Sequence, residues 1–117
     1  MIEVGPATKV TIYLNDDTGS QEGFLYQDLL ALLQRLGIHG ASVLRPYAGF
    51  GAHNTMHTED AGSVAGEHLP ILITFVDTVA KVEAILPELL AAVTDGLVEA
   101  HPTQVLRSAV AAPRVIT

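Results

Sequence analysis

The sequence contains no cysteine, and only 5% of its 117 residues are aromatic. Disulfides, thiolate chemistry and cysteine-based zinc sites are therefore excluded. A core with so few aromatic rings has to be built from leucine, valine, isoleucine and alanine, which favours regular packing of helices on a sheet. With 49% hydrophobic residues, a chain of this length is expected to fold as one domain.

Positive charge is also scarce. Six lysines and arginines stand against 13 aspartates and glutamates, which gives a formal net charge of −7. Nucleic-acid binding needs clustered basic residues that displace counterions from phosphates, and the sequence has no such cluster. Nucleic acid and anionic membrane surfaces are therefore not expected partners. Because basic residues are scarce, their positions are informative about candidate anion-binding sites. They are Lys9, Arg35, Arg45, Lys81, Arg107 and Arg114.

Long apolar runs are missing as well, because none is long enough to span a bilayer. The first six residues lack the basic and apolar regions of a secretory signal. A cytoplasmic protein without direct membrane insertion is the expectation.

The first part of the chain predicts a strand followed by a helix. Apolar residues alternate over 10–14, as in a strand with one buried face. Leucines then recur at helical spacing over 25–36, and Gly37 follows as a natural stop. Thr18 and Gln21 stand three residues apart before this stretch, which predicts a capping box at the helix start.

A second strand and a long loop come next. Residues 41–48 predict an extended segment in which Pro46 marks an edge or a bulge. Residues 49–68 are rich in glycine, histidine, threonine and asparagine, which predicts a loop. Structureless loops of this length in compact domains are usually functional or disordered, so this segment is the most informative about function.

The last part predicts a strand, a helix and a final strand. The apolar run at 69–76 is typical of a central strand covered on both faces. A second helix begins near Val79, with a kink or break expected at Pro87. The last strand begins at Leu97, with an interruption expected at Pro102.

This β-α-β-β-α-β order predicts an α+β fold of the ferredoxin-like type, with a four-stranded antiparallel sheet and two helices on one face. The other face and the edges then need cover, and oligomerisation is the expected means in so apolar a chain. The domain is expected to span 8–110 between flexible ends at 1–7 and 111–117, with a long loop at 52–68. Many unrelated activities use this fold, so function has to be argued from the site.

The segment from Gly37 to Gly51 resembles the PII signalling proteins. In those proteins a Gly-x-x-Gly turn precedes the second strand and Gly-Phe-Gly opens the long T-loop, as Gly37–Gly40 and Gly49–Gly51 do in this order here. The chain is still more similar to the PII-like family known as domain of unknown function 190, in the PII/CutA superfamily. The shared features are Thr11-Ile12-Tyr13, Val43-Leu44-Arg45, His57-Thr58, Leu69-Pro70, Val76-Asp77-Thr78 and Ile85-Leu86-Pro87-Glu88-Leu89.

The resemblance implies a PII-like homotrimer with an adenine nucleotide bound in each cleft between neighbouring subunits. It also implies that the start of the long loop, the turn before the last strand and basic residues near the C-terminus contact this ligand. The chain departs from the PII pattern after Gly-Phe-Gly, where Ala52-His53 replace a glutamine, and it lacks the phosphate-binding lysine of the last turn. The candidate ligand-binding residues are Ser42, Arg45, Gly49, Phe50, Gly51, His53, Gly96 and Arg107.

Arg45 and Arg107 are candidates on chemical grounds too, because a guanidinium suits a bidentate clamp on phosphate or carboxylate. The alternative for each is a solvated surface arginine of little energetic consequence. Gly49-Phe50-Gly51 has a structural alternative as well, a bulge at the start of a loop.

The loop histidines His53, His57 and His68, with carboxylates nearby, raise the alternative of a CutA-like metal-binding protein. Their spacing suits a metal only on a helix, so the sequence assigns no metal site. It offers no nucleophile–base pair, P-loop or dinucleotide fingerprint, so no catalytic residue is assigned and an enzyme is not expected.

The resulting expectation is a signalling or regulatory protein that binds a small anionic effector and regulates a partner protein through the 52–68 loop. The resemblance implies a membrane transporter or channel as that partner. The alternative left open is an interaction subunit of such a transporter or channel that needs no ligand.

Overall fold

The structure, a computed structural model, describes residues 1–15, 18–20, 23–50, 57–58 and 70–111. Its strands are β1 (Gly5–Asn15), β2 (Gly19–Ser20), β3 (Gly23–Phe24), β4 (Ser42–Leu44), β5 (Ala48–Gly49), β6 (His57–Thr58), β7 (Pro70–Thr78) and β8 (Leu97–Val105). Its helices are α1 (Leu25–Arg35) and α2 (Val79–Ala92).

The main sheet has the strand order β4-β7-β1-β8, and every neighbouring pair in it is antiparallel. Each helix connects two strands that are not neighbours, which is the split βαβ connection of the ferredoxin-like fold. The predicted fold class is therefore confirmed. Two short hairpins stand beside this sheet, β2 with β3 and β5 with β6.

The helices cover one face of the sheet, and the core lies between the two layers. Alternate residues of the two central strands point into it, because side chains alternate between the faces of a strand. Fully burying an aliphatic side chain of this size stabilises the fold by roughly 1.5–3 kcal/mol. The core includes Val10, Ile12, Leu29, Leu33, Ile71, Ile73, Phe75, Val82, Ile85 and Leu89.

The other sheet face is not covered by an element of the described chain. In β7, Leu72, Thr74 and Val76 are half-buried on that face while their odd-numbered neighbours are buried beneath the helices. The prediction that this strand is covered on both faces is thus met on only one side within a single chain. We refer to the uncovered side as the open face.

The start of α1 differs from the predicted capping box, whereas the end of α1 at Gly37 is as predicted. Phe24 is the N-cap and makes no side-chain capping bond, so the predicted capping box is wrong. The backbone carbonyl of Thr18 instead accepts from the N–H of Leu25 at 2.8 Å, because the β2–β3 hairpin folds back onto the helix start. At the other end Gly37 adopts φ +85°, and the N–H of Ile38 donates to the carbonyl of Leu33 at 3.0 Å, which is a Schellman end.

Pro87 and Pro102 disturb helix α2 and strand β8 less than the sequence predicts. Helix α2 continues through Pro87, which is exposed, so water can reach the carbonyl that loses its helical partner there. Strand β8 continues through Pro102, because β8 is an edge strand and a proline can turn its missing N–H away from β1. The interruption predicted at Pro102 is therefore wrong; of the kink or break predicted at Pro87, the continuous helix excludes the break.

Three boundaries also differ from prediction. Strand β1 begins at Gly5, before the expected domain start at residue 8, because Gly5 pairs with Val105 and Ala7 with Thr78. The second strand is shorter than 41–48, since β4 ends before Pro46. Two residues of the predicted long loop, His57 and Thr58, form β6, which pairs with β5.

Candidate functional site

One end of the open face carries a row of large apolar side chains, one from each strand of the sheet. Leu44 pairs with Leu72, Leu72 with Tyr13, and Tyr13 with Leu97, so the four side chains form one cross-strand row. Leu44, Tyr13 and Leu97 are 52%, 40% and 56% exposed. We call these four residues the apolar row; it lies where β4 ends and β8 begins.

A polar row lies two residues further along the strands on the same face. It brings Ser42, Thr74, Thr11 and Glu99 side by side. The Tyr13 hydroxyl donates to Oε1 of Glu99 at 2.7 Å and so ties the two rows together. This hydrogen bond, together with burial and the negative charge of Glu99, raises the pKa of Tyr13.

The turn before β8 is held against the same end of the sheet by Gly96. Its φ is +149°, and a Cβ there would lie 2.5 Å from the carbonyl oxygen of Tyr13 and 2.7 Å from Leu14. Both the backbone angle and the close approach require glycine. The predicted site residue Gly96 therefore has a structural role of its own at this position.

Four further predicted residues belong to β4 or follow it. Ser42 lies in β4 beside Thr74, and Arg45 comes directly after that strand with its side chain exposed. Gly49 lies in β5 with open space at its Cβ position and without a positive φ, so the fold itself does not require glycine there. The Phe50 ring is 69% exposed.

The remaining predicted residues lie elsewhere. Arg107 follows β8, which ends at Val105 opposite Gly5, so it lies at the other end of the sheet from Arg45. Strands β4 and β8 are also the two opposite edges of that sheet. Gly51 and His53 lie outside the described residues.

The metal candidates fall largely outside the described part of the chain, which includes neither His68 nor the side chain of His57. Within the described ranges, no group of three histidines, aspartates or glutamates is arranged to hold a metal ion.

One polar pair was missed by sequence reasoning. Asp77 is fully buried at the end of β7; its Oδ2 accepts from the backbone N–H of His39 at 3.1 Å and lies 2.9 Å from the ring Nδ1. Its Oδ1 accepts from the N–H of Thr78 at 2.8 Å. Burial alone raises the pKa of Asp77, but these hydrogen bonds and the nearby histidine outweigh it and hold the pKa below its usual value.

The sequence signal at this position is the dipeptide Asp77-Thr78, which by itself predicts only a helix cap. Thr78 does cap α2, because its Oγ1 accepts from the N–H of Lys81 at 3.2 Å. The partner of Asp77 lies 38 residues earlier in the chain, so local pattern could not reveal it.

The βαββαβ order and the four-stranded antiparallel sheet define the ferredoxin-like fold, which solved PII-like proteins share. Solved structures with this fold include CPII, a nitrogen regulatory PII-like protein from Thiomonas intermedia K12. Bound to ADP and bicarbonate, CPII is 23% identical, with TM-score 0.57, over 92% of this chain and 95% of that one. Bound to ADP, AMP and bicarbonate, it gives 21% identity and TM-score 0.59, over 92% and 100%.

A candidate PII-like signalling protein from Thermus thermophilus has the same fold, at 17% identity and TM-score 0.57, over 90% of this chain and 94% of that one. The family model DUF190, described as an uncharacterized ACR, matches residues 7–105. This chain therefore belongs to the DUF190 family. Among the described residues, no helix is long and apolar enough to cross a membrane.

Proposed function

We propose that the chain is a PII-like regulatory protein that forms a homotrimer and binds an adenine nucleotide, as its small anionic effector, in the clefts between subunits. The carrying observation is the separation of the candidate residues into two groups at opposite ends of one sheet. Ser42, Arg45 and Gly96 belong to the end with the apolar row, and Arg107 to the other.

This separation supports a site made by two copies of the chain. Strand β8 runs from Leu97, in the apolar row, to Val105, and eight steps of an extended strand span about 26 Å. Because the two arginines are also on opposite edges of the sheet, one small ligand cannot contact both in the same chain. If both bind the effector, one of them comes from a neighbouring subunit.

The open face supports assembly independently of any ligand. Three of the four large side chains in the apolar row are 40–56% exposed, and a contiguous apolar surface of this kind usually marks a contact. Packing of the open face of one copy against the others would cover this row. The predicted edge exposure of β4 and β8 would be reduced by the same contacts.

Two features support an anionic effector. In a chain of net charge −7 with only six lysines and arginines, Arg45 provides a positive charge directly after the edge strand β4. The similar CPII structures hold ADP, with bicarbonate in addition. Bicarbonate is therefore a second small anion that this chain is proposed to accept beside the nucleotide.

Regulation is proposed to act through residues 52–68, which follow directly on the ligand-binding candidates. An effector can switch a segment only if it binds the two states of that segment with different affinity. Contacts from Gly49 and Phe50 at the start of the segment would supply that difference. The proposed partner is a membrane transporter or channel, and no catalytic role is proposed.

Isothermal titration calorimetry of the full chain with AMP, ADP, ATP and cyclic AMP, each with and without bicarbonate, tests the effector. We expect saturable heat with at least one adenine nucleotide and weaker binding in Arg45→Ala. Arg35→Ala is the matched control, because Arg35 lies on α1 with its side chain exposed beside Glu88. Absence of heat with all four nucleotides contradicts the nucleotide assignment and favours an interaction subunit that works without ligand.

Amide hydrogen exchange tests the switch. Addition of the nucleotide found by calorimetry is expected to slow exchange in residues 52–68. Unchanged exchange in this segment at saturating nucleotide contradicts the proposed coupling, even if the nucleotide binds.

A further inference from the structure

Strand β4 contains the candidate site residue Ser42 and leads directly to Arg45, yet its own pairing defines its position weakly. It joins the sheet through three residue pairs, Ser42 with Thr74, Val43 with Ile73 and Leu44 with Leu72. All three of its residues are exposed, so packing beneath it contributes little to holding it. Short edge strands of this kind are prone to register slippage.

The contact between His39 and Asp77 extends this register beyond the ladder. Counting back three residues from Ser42 and forward three from Thr74 brings His39 opposite Asp77. The pair therefore obeys the same antiparallel register as β4 and β7, although residues 40–41 between them belong to no strand. The Asp77 carboxylate accepts the His39 N–H in place of a backbone carbonyl.

Because of the Asp77 carboxylate, a change in the register of β4 on β7 is energetically unfavourable. Asp77 is fully buried and receives three hydrogen bonds or ring contacts, two of them from His39. If β4 moved along β7, His39 would leave and the buried charge would keep only the N–H of Thr78. A buried carboxylate that loses donors is strongly unfavourable, so the pair selects one register.

We infer that Asp77 is a positioning residue that sets the register of β4 on β7, and through it the place of Ser42 and Arg45 in the ligand site. A slip of one residue would turn Ser42 to the other face of the sheet. A slip of two would keep the face but move Arg45 by about 6.6 Å along the strand, out of reach of the same phosphate. The effect on ligand rests on the function proposed above; the effect on register does not.

The geometry also defines the tautomer of His39. Nδ1 faces an ionised carboxylate that can only accept, so neutral His39 carries its proton on Nδ1 and leaves Nε2 open. Nitrogen chemical shifts of the ring report this directly. A side chain that merely filled space would have no such preference.

The test compares Asp77→Asn and His39→Ala with Ile85→Val, a core substitution in α2. We expect Asp77→Asn to abolish or shift the cross-strand contacts between Val43 and Ile73. The His39 ring should lose its preference for the Nδ1–H tautomer. ADP binding should weaken at least about tenfold. Ile85→Val should leave the strand contacts, the His39 tautomer and the ADP affinity unchanged, although it removes a buried methyl group.

His39→Ala keeps the backbone bond and is the milder variant. It is expected to fold and to speed amide exchange in β4 about tenfold, with exchange in β1 unchanged. An Asp77→Asn protein that fails to fold leaves the decision to this variant. Retention of the Val43–Ile73 contacts and of normal β4 exchange in the folded variants overturns the inference. If wild type binds no ADP, the proposed function fails while the contacts and tautomer still test the register.

Discussion

Arg45 and Arg107 lie at opposite ends of the four-stranded sheet and beside its two opposite edge strands. Arg45 directly follows β4, whose last residue pairs with Leu72, whereas Arg107 comes two residues after the end of β8. One chain cannot direct both guanidinium groups to a single small ligand. The proposed effector site therefore requires the proposed assembly, for which the open face is the candidate contact surface.

The exposed apolar row is the expected contact surface of the proposed trimer. The full chain is expected to scatter light as a species of about three times 12.4 kDa at micromolar concentration. Leu97→Asp should shift this species toward monomer, because it introduces a charge into the row. Leu90→Asp is the matched control, since Leu90 is similarly exposed but lies on α2, away from the open face. A wild-type monomer contradicts the proposed assembly.

Arg45→Ala should weaken nucleotide binding by roughly 1.5–3 kcal/mol, the range for a hydrogen bond to a charged group. Arg45→Lys should recover only part of this, because an ammonium lacks the forked geometry of a guanidinium. Calorimetry with the folded variants provides the measurement. If Arg45→Ala, Arg45→Lys and the control Arg35→Ala all bind the nucleotide with wild-type affinity, the effector site lies away from β4.

Gly96→Ala should destabilise the chain by roughly 1–3 kcal/mol, the usual cost of a strained backbone conformation. The added Cβ would also lie 2.5 Å from the carbonyl oxygen of Tyr13. Urea unfolding followed by circular dichroism gives the value. Gly40→Ala, where the Cβ meets nothing within 4 Å and φ is not positive, should change stability little. Equal stability of the two variants would contradict the described turn.

Asp77 should make stability fall in acid. Because its pKa is lowered in the folded chain, its contribution is present above the unfolded pKa of about 3.9 and is lost as pH falls through the lower folded value. Urea unfolding from pH 7 down to about pH 2.5 should therefore show a smaller acid-dependent loss in Asp77→Asn than in wild type. Glu83→Gln, an exposed substitution on α2, should keep the wild-type slope. Identical slopes for Asp77→Asn and wild type would contradict an ionised, hydrogen-bonded Asp77.

The element order was predictable because each helix and central strand carries its own periodicity. The apolar alternation of β1 and the leucine spacing of α1 arise because each element is buried on one side. Gly37 indicates the left-handed turn that ends the helix. The same local reasoning gave Pro87 and Pro102 too much weight. Each proline lies at an exposed position, which a sequence pattern alone does not reveal.

The site was predictable only in its residue types. The separation of Arg45 from Arg107 and the formation of the apolar row follow from strand register, which joins residues far apart in the chain, such as Gly5 and Val105. The His39–Asp77 pair has the same origin. No local spacing encodes such relationships, so they emerge only when the strands are aligned.

Complementation between two inactive variants tests the central claim, an effector site shared by two copies, most directly. Arg45→Ala and Arg107→Ala chains, each expected to bind ADP poorly alone, are unfolded together, refolded as a 1:1 mixture and titrated with ADP. A shared site predicts that about a quarter of the sites regain wild-type affinity, because each pairs an intact Arg45 with an intact Arg107 from the neighbour. Refolded trimers that regain no ADP binding, or an Arg107→Ala protein that binds normally by itself, would contradict the account.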